Sequence, residues 1–136
     1  MDKILNVEII TPQKIIYSDK AQSVTLPGSM KPFQVLFNHA PIVSSLDLGV
    51  LKILDYSDKT LLFAASSGIV EVLKNNISIL VESAIDGATV DFKKVSENLV
   101  KLKEANKASK TKEESGRIKT EIKYAENTLK ASGKLN

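Results

Sequence analysis

The spacing of hydrophobic residues changes once along the chain, near Gly87, and this change limits the folds that are possible. Before it, Leu5, Val7 and Ile9 alternate with polar residues, which is the period of a half-buried strand. After it, apolar residues recur three and four positions apart, which is the period of an amphipathic helix. The first such stripe consists of Phe92, Val95, Leu99 and Leu102. The pattern predicts a β domain over residues 1–87 and a helical domain over residues 88–136.

Short alternating segments fill the first 85 residues and predict eight to ten strands. One alternation runs from Phe33 to Phe37, and two runs, residues 15–17 and 22–26, read as separate strands. Two hairpins are predicted, with tips at residues 56–59 and at Asn75-Asn76, where asparagine tolerates positive φ. So many short strands indicate a β-sandwich or flattened barrel.

The remaining residues predict two antiparallel helices. Thr89 or Asp91 can cap the first helix, Thr111 begins a capping box for the second, and Gly133 ends it. The second apolar stripe consists of Ile118, Ile122, Ala125 and Leu129. Four apolar residues per helix are too few to hold such a hairpin together alone, so we expect it to lean on the β domain or on a partner.

Composition excludes several classes of function. The chain has no cysteine, which removes disulfides, thiol chemistry and cysteine-bound metal. Residues 89–136 carry twelve basic and seven acidic residues, a net +5, but the signs are interleaved and only one base is arginine, so we expect a solvated helix surface rather than nucleic-acid binding. The longest apolar runs are a few residues, so we expect no insertion into lipid, and the early start of the strand pattern argues against a targeting peptide.

Catalytic signals are weak. His39 is the only histidine and sits in a turn beside Pro41, where a structural hydrogen bond is a commoner role than proton transfer. No cluster of histidine or carboxylates has metal-ligand spacing, and Ser66-Ser67-Gly68 is too short for a phosphate-binding loop. We therefore predict neither a catalytic residue nor a metal site.

Three stretches carry a resemblance to a known family: TPQKIIYSDKAQSVTLPGS, VLFNHAPIVSSLDLGVLKI and SSGIVEVLKNNISILVESAI. In their order and spacing, over residues 4–91, they closely resemble the epsilon subunit of bacterial F-type ATP synthases. The resemblance implies a mainly β fold with a C-terminal α part: an N-terminal ten-stranded β-sandwich followed by an antiparallel two-helix hairpin.

The resemblance also implies a function without catalysis. Such subunits belong to the central stalk of the rotor and help couple proton translocation to ATP synthesis. They dock on the gamma subunit and the c-ring, and their hairpin reaches the catalytic alpha/beta head to regulate ATP hydrolysis. The implied location is peripheral, at the cytoplasmic face of the bacterial inner membrane. An unrelated β-sandwich that binds carbohydrate or peptide is the alternative from a different class.

Carried over by position, the c-ring contact falls on two loops, residues 28–32 and 39–41. The residues concerned are Gly28, Ser29, Met30, Lys31, Pro32, His39, Ala40 and Pro41. The family commonly has acidic residues and glycines after Ser29, whereas this chain has Met30, Lys31, Pro32 and Gln34. We therefore expect a stiffer and more basic contact surface than the family's usual one.

Some bacterial members bind ATP, which makes an ATP-sensing regulator of the same complex a second alternative. The matching positions here are Asp91, Lys94 and Arg117. Lys94 stands where those members have arginine, and lysine cannot give phosphate a bidentate fork. Judged by residue type alone, Asp91 is more commonly a helix cap, and Lys94 more commonly a solvated side chain, than a nucleotide ligand. We therefore expect no bound cofactor, and ATP is the one candidate ligand.

Overall fold

The computed structural model describes residues 3–133, which form nine strands followed by three helical segments. The strands are β1 (Leu5–Ile10), β2 (Ile15–Leu26), β3 (Phe33–Val35), β4 (Ile42–Leu46), β5 (Gly49–Asp55), β6 (Thr60–Ala65), β7 (Gly68–Leu73), β8 (Asn76–Val81) and β9 (Ala84–Asp86). A 3₁₀ turn at Gly87–Thr89 leads into helices α1 (Phe92–Ala108) and α2 (Lys112–Ala131). The strands thus end where the hydrophobic period changes. Residues 1–2 and 134–136 of the two predicted domains lie outside the described range.

Strand β2 runs through both layers of the sandwich. Its first half pairs with β1, and after a bulge between Ala21 and Ser23 its second half pairs with β3 and β5. The first layer has the order β4-β7-β8-β1-β2, and the second contains β3, β2, β5, β6 and β9. The two predicted runs at residues 15–17 and 22–26 are therefore one strand, and the expected number of ten is reached only when its halves are counted separately.

One pair of strands in the first layer is parallel. Residues Asn6 to Ile10 of β1 lie beside Asn76 to Leu80 of β8, whereas the other strand pairs within residues 3–133 are antiparallel. This pair joins the beginning of the β domain to nearly its end, and it links β4, β7 and β8 to β1 and β2 in the first layer.

The core lies between the two layers and is built from alternate residues of the strands, as the period of two predicts. Its fully buried large side chains include Leu5, Ile9, Leu26, Leu51, Ile53, Ile77 and Ile79. Of the four phenylalanines, Phe63 is buried and the other three are half-buried.

Two local predictions differ from the structure. The β7–β8 turn consists of Lys74 and Asn75, at φ values of 49° and 65°, rather than of Asn75 and Asn76. Leu73 pairs with Asn76, so the register leaves only two residues for the turn. The predicted strand from Phe33 to Phe37 ends at Val35, because the chain turns at the next four residues.

The helix boundaries agree with the sequence. The Asp91 side chain accepts a hydrogen bond from the Lys94 N–H at 3.1 Å and caps α1, while Thr89 lies in the 3₁₀ turn. Thr111 caps α2 by accepting from the Glu114 N–H at 3.0 Å. Gly133 follows α2 at φ 72°, the left-handed conformation that ends many helices.

The hairpin forms two further layers over the sandwich. Helix α2 packs on β5, β6 and the 3₁₀ turn, and α1 packs mainly on the other side of α2. Ile118, Ala125 and Leu129 of the predicted stripe are buried, whereas α1 buries none of its residues. As expected, the hairpin leans on the β domain. Within the described residues, no helix is long and apolar enough to cross a membrane.

Candidate docking surfaces

The first loop, residues 28–32, is fastened to the C-terminal end of β4. Gly28 forms an isolated bridge with Leu46, and the Ser29 N–H donates to the Ser45 carbonyl at 3.1 Å. The Ser29 hydroxyl also donates to the Asp47 carboxylate at 3.0 Å. These bonds fix the base of the loop to an edge strand, so its tip projects from a rigid support.

The tip of the first loop is exposed and apolar at its centre. Met30 is 98% exposed, and Lys31 and Pro32 beside it are also exposed. A Cβ atom on Gly28 would lie 2.5 Å from the Lys31 carbonyl oxygen and 2.8 Å from the Phe33 ring. The tight turn therefore requires glycine at residue 28, while the residues at the tip are free to contact a partner.

The second loop, residues 39–41, follows a tight turn. The His39 N–H donates to the Leu36 carbonyl at 3.1 Å, and Asn38 has a φ of 64°. The His39 Nδ1 lies 2.8 Å from the Ala40 carbonyl oxygen. His39 is half-buried and hydrogen-bonded within its own loop, while Ala40 and Pro41 are exposed.

Two asparagines hold the second loop against the β7–β8 turn. The Asn38 N–H donates to Asn75 Oδ1 at 2.6 Å, and Asn75 Nδ2 donates to Asn38 Oδ1 at 3.3 Å. The Asn75 carbonyl accepts from the Asn6 N–H at 2.8 Å. The loop is thus tied to the end of the sheet where β1 and β8 begin.

The two loops lie at opposite ends of β4. The first is bonded to residues 45–47, and the second leads directly into Ile42. A five-residue strand spans about 13 Å between its first and last Cα atoms. The predicted c-ring residues thus form two separate contact points, not one continuous surface.

The structure gathers no constellation typical of an active site or metal centre around His39. Among residues 3–133, no group of three or more histidine, cysteine, aspartate or glutamate side chains is placed to hold a metal ion.

An apolar row crosses the outer face of the first layer. Ile69 of β7, Leu80 of β8, Ile10 of β1 and Ile15 of β2 are successive partners in register, and we call these four residues the outer row. Three of them are exposed, by 45% for Ile69, 41% for Leu80 and 57% for Ile15, and Ile10 is half-buried. A cavity of about 310 Å³ opens beside them, lined in part by Thr11 and Pro12.

Helix α2 lies on the outer face of the second layer, over β5 and β6. Asn127 is 8% exposed and donates from Nδ2 to the Gly49 carbonyl at 2.8 Å and to the Ala65 carbonyl at 3.4 Å. Gly49 and Ala65 are partners at one end of the β5–β6 ladder. At about 100° per residue, Asn127 lies on the opposite side of α2 from Ala125 and Leu129, so the C-terminal part of α2 buries residues on two sides.

The C-terminal end of α2 makes a close backbone contact. A Cβ atom on Gly87 would lie 1.9 Å from the Ala131 carbonyl oxygen and 2.9 Å from that of Leu62. Any side chain at residue 87 would therefore push the helix away from β6. Gly87 and Asn127 mark the contact that holds the hairpin down, and both contribute polar or backbone groups rather than large apolar side chains.

The three predicted nucleotide-binding residues are not gathered in one place. Asp91 and Lys94 lie at the start of α1, where Asp91 serves as the cap. Asn106 near the end of α1 accepts a hydrogen bond from Ser115 of α2 at 3.1 Å, which places Arg117 beside the last turns of α1. Twelve residues of α-helix separate Lys94 from Asn106, about 18 Å along the axis. The nucleotide site stays an untested prediction, and the folded hairpin holds its residues apart.

No pattern in the sequence indicates the residues that hold these surfaces in place. Asn127 is a polar residue beside an apolar stripe, where a solvated role is the ordinary expectation. Asn38 and Asn75 lie in or next to predicted turns, but nothing in their spacing indicates that they bond to each other.

Comparison with known proteins places this architecture in a family. The family model described as the β-sandwich domain of the ATP synthase delta/epsilon chain matches residues 4–87. The ATP synthase epsilon chain of Desulfosudis oleivorans is 40% identical over 94 residues, which cover 69% of this chain and 71% of that protein. That of Trichodesmium erythraeum is 34% identical over 131 residues, covering 96% of this chain and 93% of the relative.

Solved structures share the fold at low sequence identity. A chain of the Euglena gracilis mitochondrial ATP synthase, in a complex of OSCP, F1 and c-ring, matches with a TM-score of 0.81 at 16% identity, over 97% of this chain and 82% of that one. A chain of the Tetrahymena thermophila mitochondrial ATP synthase central stalk and c-ring matches with a TM-score of 0.62 at 18% identity, over 94% and 96%. The alternative of an unrelated ligand-binding sandwich is thereby excluded. The chain belongs to the ATP synthase delta/epsilon family and is a non-catalytic subunit of the central stalk of the F-type ATP synthase.

Proposed function

We propose that this subunit docks on the gamma subunit through the outer row of the first layer and on the c-ring through the first and second loops. The observation that carries the proposal is the unequal covering of the sandwich. Helix α2 covers β5 and β6 of the second layer, whereas the first layer exposes Ile69, Leu80 and Ile15 along one row. A row of exposed apolar side chains on a rigid sheet is suited to a lasting protein contact.

Charged substitutions in the outer row test whether it binds the gamma subunit. We expect the double variant Ile69→Glu/Leu80→Glu to lose binding to purified gamma subunit in a pull-down, because two carboxylates would be buried without partners. Val100→Glu is the matched control, since Val100 is 56% exposed but lies on α1. Equal recovery of gamma by both variants and the parent would show that gamma docks elsewhere.

Because the two loops are separate, each is tested alone. We expect Lys31→Glu and His39→Ala each to weaken capture of this subunit by the assembled c-ring with gamma, and the combination to weaken it further. Lys59→Glu is the control, an exposed lysine at the β5–β6 tip. The c-ring assignment fails for any loop whose variant binds like the parent.

We further propose that the hairpin regulates ATP hydrolysis by leaving the sandwich and contacting the alpha/beta head. The contacts of Asn127 and Gly87 support this, because a side-chain hydrogen bond and a close backbone approach hold the C-terminal end of α2 to the sandwich, while α1 buries no residue. In the reconstituted complex, Asn127→Leu should lower ATP hydrolysis by releasing the hairpin, and ending the chain at residue 87 should raise it. Two changes of the same sign, or no change, would exclude this role. The proposed location is the cytoplasmic face of the bacterial inner membrane, where the c-ring loops are reached.

A further inference from the structure

We propose that Asn38 and Asn75 form a clamp that sets the second loop in its docking conformation before any partner arrives. The inference rests on the proposed docking function and adds positioning residues to it. Neither asparagine belongs to the contact residues 39–41; both act through the loop that they hold.

The clamp uses both the oxygen and the nitrogen of the Asn75 side-chain amide. Its Oδ1 accepts from the Asn38 backbone N–H at 2.6 Å, and its Nδ2 donates to the Asn38 side chain at 3.3 Å. Both residues have positive φ, 64° and 65°, a conformation that asparagine tolerates better than most residues. Glycine would satisfy both backbones equally well, so the side chains are needed only for the bonds between them.

The clamp connects the loop to a rigid part of the sheet. Asn75 is half-buried, and its carbonyl accepts from the Asn6 N–H at 2.8 Å, at the start of the parallel β1–β8 pair. On the loop side, Leu36 is 52% exposed, and Ala40 and Pro41 are exposed as well. Phe37 and His39 are half-buried, and the two asparagine bonds are the side-chain hydrogen bonds that join this segment to the β7–β8 turn.

Holding the loop in advance has a thermodynamic consequence. A flexible loop must be ordered when it binds, and that loss of freedom weakens the affinity. A loop that is already ordered avoids this loss. We therefore expect removal of the clamp to weaken docking without unfolding the sandwich.

Four variants separate the clamp from the turn that carries it. Asn75→Gly removes both bonds and keeps the positive φ, and Asn75→Asp keeps the acceptor for the Asn38 N–H but loses the donor. Asn38→Gly removes only the longer bond. Lys74→Gly is the matched control, because Lys74 is the other turn residue, at φ 49°, and its side chain takes no part in the clamp.

The measurements are hydrogen exchange of residues 36–41 in the isolated chain, its melting temperature, and Kd for the purified subcomplex of gamma and c-ring. For Asn75→Gly we expect roughly 5- to 10-fold faster exchange and a similar rise in Kd, the scale of one or two net hydrogen bonds. Asn75→Asp should fall between this variant and the parent, Lys74→Gly should match the parent, and the double variant Asn38→Gly/Asn75→Gly should match Asn75→Gly.

Two results would overturn the clamp: unchanged exchange and Kd in Asn75→Gly, or equal effects of Asn75→Gly and Lys74→Gly. If the parent chain does not bind the subcomplex at all, the docking function fails instead, and the exchange data decide on the clamp by themselves.

Discussion

The sandwich and the hairpin differ in what holds them together. Seventeen hydrophobic side chains of the described residues form the sandwich core, and they come from both layers. In contrast, α1 buries no residue, and α2 buries only five, Ile118, Ala125, Asn127, Leu129 and Ala131. One chain therefore combines a rigid body, stabilised by its own core, with a lid, the two-helix hairpin, that depends on the contact of α2 with that body.

The largest expected effect comes from opening the sandwich core. Ile53 is fully buried, and Ile53→Ala should lower the free energy of unfolding by about 2–5 kcal/mol, since a cavity adds to the lost burial. Urea denaturation measures this change. Val43→Ala is the control, because Val43 is 70% exposed, and a shift within about 0.5 kcal/mol is expected there. Equal losses in both variants would mean that the core is not where stability resides.

A smaller and local effect is expected at the hairpin contact. Asn127→Leu deprives the Gly49 and Ala65 carbonyls of their side-chain donor, which should lower the free energy of hairpin opening by about 1–3 kcal/mol. Hydrogen exchange should accelerate about tenfold or more in α1 and α2 and stay unchanged in β1 and β8. Glu126→Gln, at an exposed neighbouring position, should match the parent. Equal acceleration in the strands would contradict the division into body and lid.

A substitution inside α2 should stabilise the hairpin without affecting the sandwich. Gly116 lies inside α2, and a Cβ atom there would have nothing within 4 Å. Gly116→Ala should stabilise the hairpin by about 0.5–1 kcal/mol, because alanine restricts the unfolded chain and favours helix. The readout is slower exchange in α2 with unchanged exchange in β8. Faster exchange in α2 would show that the helix needs flexibility at this point.

The smallest effect concerns alkaline pH in the sandwich. Burial raises the pKa of Tyr17 above its ordinary value of 10.0, and Asp19 and Asp55 raise it further. The folded chain therefore holds the phenolic proton more tightly than the unfolded chain, so this contribution to stability is complete below pH 10 and is lost as pH rises through the raised pKa. Tyr17→Phe should lose less stability than the parent between pH 9 and 11 in thermal melts. Parallel pH profiles would show that Tyr17 has no such role.

Local features of this fold could be predicted from the sequence because they depend on neighbouring residues. The strand alternation, the caps at Asp91 and Thr111 and the stop at Gly133 all follow from side chains within a few positions. The passage of β2 through both layers could not be predicted, because exposed residues 18–20 interrupt its apolar pattern. The alternation from Phe33 to Phe37 also predicted too long a strand, because it continues into the turn that begins at Leu36.

The functional surfaces depend on contacts between distant residues. Asn127 bonds to carbonyls 78 and 62 positions away, and Asn38 bonds to a residue 37 positions away. Backbone carbonyls carry no sequence signature, so such bonds cannot be read from a single chain. The separation of the two loops likewise follows from the bridge of Gly28 with Leu46 at the far end of β4, which composition and period do not specify.

The parallel β1–β8 pair has a consequence for how this protein folds as it is synthesised. Asn6 and Asn76 are 70 positions apart, so β1 has no partner on that side until β8 has left the ribosome. Until then an edge of the first strand is open, a state in which intermolecular strand pairing is a hazard. The hairpin, by contrast, joins helices separated by a three-residue connection and closes rapidly through nearby contacts. We expect the sandwich to be the slow step of folding and its first strand to be the segment that most needs protection.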